Sequence, residues 1–298
     1  MKKIIIITGL TCTGKTDLAV KIAKQFNGEI ISADSVQIYK GLDIASAKDL
    51  EAIKQVKHHL IDIKEFNESY NVGEFISDVE NALNKITEQG KLPIIVGGTA
   101  MYIKALMEGY SLGNTTANFG FRNFYQNMAK TDGNMAVWNE LYKLNPKKAN
   151  SVHSNNIKRV IRYLEIEKFG SPVNEKSILE NYSICAVGIV ADRQLLYEKI
   201  NNRVDNMIKQ GLENEIKNLI KAGATRDMQS MNTIGYREWF DYFSGKTNKD
   251  ETIDLIKQHS RNYAKRQLTF LKTIKNVELL NISDAEKKIK EFIDDWFR

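Results

Sequence analysis

Gly9-Leu10-Thr11-Cys12-Thr13-Gly14-Lys15-Thr16 follows directly on the apolar run Ile4-Ile5-Ile6-Ile7. The stretch reads G-x-x-x-x-G-K-T. A strand before it and a helical pattern from about Lys15 after it are the setting of a phosphate-binding loop. The glycines let backbone N–H groups converge on phosphate oxygens, and the following helix adds roughly half a positive charge at its N-terminus. Lys15 is expected to meet the outer phosphates and Thr16 to ligate Mg2+. The loop predicts a phosphorylated ligand without saying whether that ligand is a nucleotide.

Working outward, apolar runs that read as buried strands fall at 4–8, 29–33, 59–63, 93–97 and 184–191, with helical patterns at 16–26, 72–89, 100–108 and 194–208 between them. Such alternation predicts the α/β class: a P-loop NTPase-like parallel sheet flanked by helices. The C-terminal third reads as largely helical, with long patterns at 248–273 and 284–296. Between about Leu112 and Tyr182 strand signals vanish, Asn, Lys and aromatic residues increase, and 138–144 and 156–168 look like amphipathic helices. The domain reading is a catalytic core of residues 1–111 and 181–298 carrying a helical insertion at 112–180. The joints at 113–120 and 169–173 are abrupt for links between packed helices.

Composition narrows the class. No run approaches the roughly 18 apolar residues of a membrane span. Two cysteines, Cys12 and Cys185, give neither a disulfide framework nor metal-ligand spacing. The four histidines form no zinc pattern, and a cytoplasmic location is expected. The net charge of +6 is concentrated. No acidic residue occurs from Leu141 to Leu164 or from Leu255 to Val277, blocks that hold Lys158, Arg159, Arg162, Lys257, Arg261, Lys265, Arg266 and Lys272. Positions 257, 261, 265 and 272 share one helix face, and a single-sign face beside a phosphate site suits a polyanion such as nucleic acid.

Two further landmarks lie at strand ends. Asp34, in Ser32-Ala33-Asp34-Ser35-Val36-Gln37, falls just past the second strand on the same edge as the loop. It could hold Mg2+ through water, act as a general base, or cap the next helix. Gln37 could read a base edge or serve as surface polarity. Gly97-Gly98-Thr99 follows the fourth strand; its glycines allow close approach of backbone to ligand, and Thr99 would point a hydroxyl at the phosphate site. No aspartate ends that strand, so the usual Mg2+-holding acid of an NTPase is missing. Asp192 is a possible substitute whose expected job is capping.

Taken together, these motifs resemble the tRNA dimethylallyltransferase (tRNA isopentenyltransferase) family. The resemblance rests on the loop at 9–16, on Asp34-Ser35 with Gln37, Tyr39 and Gly41, and on Ala45-Ser46-Ala47-Lys48, His58-His59-Leu60-Ile61-Asp62 and Gly97-Gly98-Thr99 with Tyr102. It continues through Arg159, Arg162, Leu196-Tyr197, Arg203, Ile234-Gly235-Tyr236-Arg237 and Tyr263-Ala264-Lys265-Arg266-Gln267, covering about Ile4 to Lys272. Leu10 stands where the family has proline, and Phe270 where it tends to have tryptophan.

The resemblance implies that the loop holds the diphosphate of dimethylallyl diphosphate with Mg2+, and that no ATP is hydrolysed. The five-carbon group would pass to N6 of the adenosine just 3′ of the anticodon. Gly9, Thr11, Cys12, Thr13, Gly14, Lys15, Thr16 and Arg203 would bind the diphosphate, with Thr16 on the metal. Asp34 would take the N6 proton, while Lys15, Thr99 and Arg203, with the loop N–H groups and the metal, would stabilise the leaving diphosphate. Ser35, Val36 and Gln37, with Asp34 and Thr99, would meet the flipped base. Arg122, Lys158, Arg159, Arg162, Gly235, Tyr236 and Arg237 would hold the tRNA anticodon stem-loop. The protein is expected to be a monomer with no membrane association. Two rivals stand beside this reading: a P-loop nucleoside or small-molecule kinase, and a nucleic-acid-binding protein with a regulatory P-loop.

Overall fold

The computed structural model describes residues 2–109, 118–170 and 177–295. Its centre is the isoleucine run: β1 (Lys2–Gly9) lies between two parallel neighbours, so both its faces are covered and a continuous apolar sequence is what the position demands. Ile4 and Ile6 enter one core layer and Ile5 and Ile7 the other, each fully buried. Burial of one such side chain is worth about 2 kcal/mol.

Beyond the loop come α1 (Lys15–Gln25), β2 (Gly28–Ser32), α2 (Leu50–Gln55), β3 (His58–His59), α3 (Val72–Glu88), β4 (Leu92–Val96) and α4 (Ala100–Glu108). A helical segment follows: α5 (Phe119–Thr131), α6 (Asn134–Leu144), α7 (Pro146–Asn150) and α8 (Ile157–Phe169). The sheet resumes with β5 (Tyr182–Ile189), and then come α9 (Arg193–Lys209), α10 (Leu212–Lys221), α11 (Arg237–Phe243), α12 (Lys249–Leu271), β6 (Glu278–Leu280) and α13 (Ile282–Asp294). The strands form one sheet in the order β3-β2-β4-β1-β5-β6, and every pairing is parallel. The carboxyl ends of β1, β2 and β4 are thereby neighbours, which brings the glycine loop, Asp34 and Gly97–Thr99 to one edge.

Local signals set the helix starts. Asn71 with Glu74, and Asn248 with Glu251, form capping boxes at α3 and α12. The Asp192 carboxylate accepts the N–H groups of Gln194 and Leu195, so it caps α9. The third strand is shorter than its apolar run suggests. Leu60 and Asp62 adopt φ of +62° and +55°, left-handed backbone that ends pairing after His59. β6 and the short helices α2 and α11 lie outside the sequence expectations. β6 pairs only three residues, Glu278 to Leu280, with Val187 to Ile189, too few to leave a periodic signal.

The chain divides into two compact units, Met1–Gly109 with Ser177–Arg298, and Tyr110–Lys176. The second begins and ends a few residues earlier than the compositional change. Leu179 is buried in the main core and the Ser177 hydroxyl donates to the Leu106 carbonyl, which ties the segment before β5 to the sheet unit. The helical unit has its own core of Val137, Leu141, Ala149, Val160, Ile161 and Leu164. Most of the abrupt joint at 113–120, three of the five residues at 169–173 (171–173, beyond Gly170), and Trp296 lie outside the described residues. No helix among the described residues is long and apolar enough to cross a membrane.

Candidate active site

The glycine loop is shaped by backbone that only its sequence tolerates. Gly9 has φ +137°, and a Cβ there would sit 2.3 Å from the Ile189 carbonyl oxygen. Cys12 and Gly14 take φ of +61° and +81°, which turns the chain into α1. The Leu10 N–H donates to Ile189 (3.0 Å) and the Thr11 N–H to Gln267 Oε1 (3.1 Å). The Thr13 hydroxyl and Lys15 Nζ both donate to the Leu10 carbonyl, at 2.8 and 2.6 Å. No hydrogen bond among the described residues engages the N–H groups of Cys12, Thr13 and Gly14. Those three amides are what the loop offers an anion.

Arg203 of α9 donates to the Thr11 hydroxyl at 2.8 Å and lies 3.8 Å from the Cys12 sulfur. Lys15 is half-buried as a residue, with its ammonium end enclosed. Burial, then the Arg203 guanidinium, push its pKa down to about 8, against a smaller opposing pull from Asp34. Two cations beside three unused donors form a site short of negative charge.

Asp34 is fixed by its own turn. Its Oδ1 accepts the N–H groups of Val36 (2.9 Å) and Gln37 (3.3 Å), and Oδ2 carries no hydrogen bond among the described residues. Thr99 stands at the adjacent strand end. Its hydroxyl accepts the Ser35 N–H at 3.0 Å and reaches Ser35 Oγ at 3.3 Å, so it braces the Asp34 turn. Gly97 permits this crossing, since a Cβ there would lie 2.1 Å from the Ala33 carbonyl oxygen. The Gln37 amide is already engaged, accepting from Ser32 Oγ and donating to the Ser46 carbonyl.

These groups line one cavity of about 1030 Å3: residues Thr11 to Thr16, Asp34 to Gln37, Thr99 and Arg203, with Tyr263, Arg266 and Gln267 of α12. Gly235 and Arg237 also line it. Tyr236 is fully buried, and its hydroxyl donates to Glu215 at 2.7 Å. Its side chain shapes the loop from beneath and does not line the cavity. Glu215 also accepts the N–H groups of Asp43 and Ile44, and Glu238 accepts the Gly235 N–H. The half-buried Glu215 and the buried Glu238 thus hold the two loops of the rim. Lys48, with its side chain fully enclosed, joins Asp43, Asp62 and the Tyr39 carbonyl beneath them.

Within the helical unit, Arg122 and Arg162 both pair with the buried Glu165, at 2.7 and 2.5 Å, while Arg159 lies over the Tyr163 ring. Lys158 is exposed. Sequence reasoning assigned no role to Gln267, Glu215, Glu238 or Lys48. Gln267 and Lys48 fall within the family motifs, but nothing in the sequence names their partners, and Glu215 meets Asp43 and Ile44 only through the fold. Among the described residues, no group of three or more His, Cys, Asp or Glu side chains is placed to hold a metal ion.

Comparison with known proteins agrees with this geometry. The family model described as IPP transferase matches residues 37–274. A tRNA dimethylallyltransferase of Halalkalibacterium halodurans is 41% identical over 97% of this chain and 95% of its own length. The crystal structure of a full-length tRNA isopentenylpyrophosphate transferase from Bacillus halodurans superposes with a TM-score of 0.73 at 39% identity, covering 99% of this chain and 96% of that one. Crystallographic snapshots of a eukaryotic dimethylallyltransferase acting on tRNA match at 26% identity with a TM-score of 0.77, over 98% of this chain and 78% of the other. With a matching family model over most of its length and relatives near 40% identity spanning nearly all of it, the chain belongs to the tRNA dimethylallyltransferase, or IPP transferase, family.

Proposed function

We propose that this protein transfers the dimethylallyl group of dimethylallyl diphosphate to N6 of the adenosine 3′ to the tRNA anticodon and releases diphosphate. The observation that carries this reading is a single cavity shared by an anion-binding loop and the carboxylate of Asp34. Breaking the allylic C–O bond puts negative charge on the departing diphosphate and positive charge on carbon. Lys15, Arg203 and the free amides of Cys12, Thr13 and Gly14 stabilise the former, with Gly9, Thr11 and Thr16 completing the loop. As the C–N bond forms, the N6 proton becomes acidic, and Asp34 Oδ2 takes it while Oδ1 stays in the turn. Thr99 holds that turn in place, and enclosure keeps water from the allylic carbon.

The Thr16 hydroxyl lies in the first turn of α1, half-exposed and with no hydrogen bond among the described residues. Mg2+ is commonly held by one or two protein oxygens together with substrate phosphates and water, so this donor set fits an ion that arrives with the diphosphate. Bound there, it would neutralise charge on the leaving group.

The target base must leave the anticodon-loop stack, which costs a few kcal/mol. Ser35, Val36 and Gln37 receive it; Gly235 and Arg237 at the rim, shaped from beneath by the buried Tyr236, and Arg122, Lys158, Arg159 and Arg162 of the helical unit, hold the tRNA. One chain completes the cavity and both cysteines are free, which supports a monomer working in the cytoplasm. The test is incubation with radiolabelled dimethylallyl diphosphate, Mg2+ and unmodified tRNA that reads codons beginning with U. Label in adenosine of the tRNA supports the assignment. Phosphoryl transfer from γ-labelled ATP, with no label from the prenyl donor, would replace it with a kinase.

A further inference from the structure

Gln267 leaves α12 nine-tenths and more buried, only 4% exposed, and its amide ends between two loops that otherwise belong to different strands. Oε1 accepts the Thr11 N–H at 3.1 Å, and Nε2 donates to the Gly98 carbonyl at 2.8 Å. The partners fix the orientation of the amide: an N–H can only donate and a carbonyl can only accept, so neither a flipped amide nor a carboxylate could serve both. Contact is tight as well, since a Cβ on Gly98 would lie 2.7 Å from Nε2. From Gly98 the connection runs on through Thr99, whose hydroxyl accepts the Ser35 N–H at 3.0 Å, to the residue beside Asp34.

The geometry points to Gln267 as a positioning residue of the donor site. It pins the first turn of the phosphate loop to the Gly97–Thr99 turn and so sets the distance between the bound diphosphate and the Asp34 carboxylate. It also keeps the Thr11 N–H turned away from the ligand, leaving the amides of Cys12 to Gly14 to face it. The same helix carries Tyr263 and Arg266 into the cavity, so this side chain ties their placement to that of the loop. The inference rests on the loop being the diphosphate site.

Two variants test it. Gln267→Met keeps the length and bulk but neither hydrogen bond; Gln267→Glu keeps the acceptor, loses the donor and adds a negative charge beside the diphosphate. Loss of alignment by a fraction of an ångström to one ångström is expected to lower kcat by about 10- to 100-fold in Gln267→Met. Its KM for tRNA should stay within about twofold of the wild type, since no tRNA contact has been removed. In Gln267→Glu, binding of dimethylallyl diphosphate without tRNA should weaken by about tenfold or more, and added salt should partly restore it. A purely structural role would instead lower the melting temperature and affect both substrates alike. Should both variants keep the wild-type kcat and donor affinity, or should either lose donor and tRNA binding in equal measure with a lowered melting temperature, the inference is overturned. If the wild-type protein itself fails to bind dimethylallyl diphosphate, the reading of the loop fails, and the Gln267 inference with it.

Discussion

Raising the pH should loosen the grip on the diphosphate donor in a way the structure quantifies. Burial, then the Arg203 guanidinium, lower the Lys15 pKa from 10.5 to about 8. A bound diphosphate favours the ammonium form, so it must raise that pKa. Below about pH 8 the charge is already present and affinity is level. Above it, each binding event must first return a proton to Lys15, and the dissociation constant climbs about tenfold per unit, or about 1.4 kcal/mol. Two units above the midpoint the loss approaches about 100-fold. The donor's own charge does not mask the effect, because a phosphate of this kind loses its last proton near pH 6. Calorimetry with dimethylallyl diphosphate in the absence of tRNA gives the constant directly, and buffers of different ionisation enthalpy give the proton uptake. Lys15→Met should bind weakly at every pH, with no such slope. A wild-type affinity that stays flat from pH 7.5 to 9.5, with no proton taken up, would refute the reasoning.

Other consequences can be checked alongside. Asp34→Asn retains an oxygen for the Val36 and Gln37 amides but no base, so melting should be unchanged while turnover drops by about 100-fold or more. Gly97→Ala drives a methyl to within 2.1 Å of the Ala33 carbonyl, and chemical denaturation should register a loss of about 2 kcal/mol or more. Glu29 opposes its own burial with hydrogen bonds to Lys91 and His59 and an ion pair to Lys57, which hold its pKa at about 2 against 4.5. A depressed acid stabilises the fold above pH 4.5 and loses that contribution as pH falls toward 2, so Glu29→Gln should flatten the acid limb of stability. tRNA affinity should fall linearly with salt on a double-logarithmic plot, and Arg159→Ala should make the slope shallower by roughly one unit.

How much the sequence disclosed depended on how local the cause was. The isoleucine run and the glycine loop report themselves, because a central parallel strand needs apolar residues on both faces and a sharp anion-binding turn needs glycine. Asp34 and Gly97–Thr99 were legible as strand ends, since a parallel sheet puts all such ends on one edge. The brevity of β3 was hidden in two non-glycine residues with left-handed backbone, Leu60 and Asp62, which no composition rule anticipates. β6 gains its pairing from β5 alone and carries too few residues for periodicity to speak. Gln267 and Glu215 act on partners far along the chain, so only folding assembles their meaning. Asp192, by contrast, caps α9 as its position before the helix suggested.

The most direct test of the account is a single-turnover measurement with saturating donor and tRNA, comparing wild type with Asp34→Asn. If one carboxylate strips the proton while the loop withdraws diphosphate, the variant should bind both substrates normally and prenylate at under about one hundredth of the wild-type rate. An unchanged rate in a variant that binds both would contradict the account.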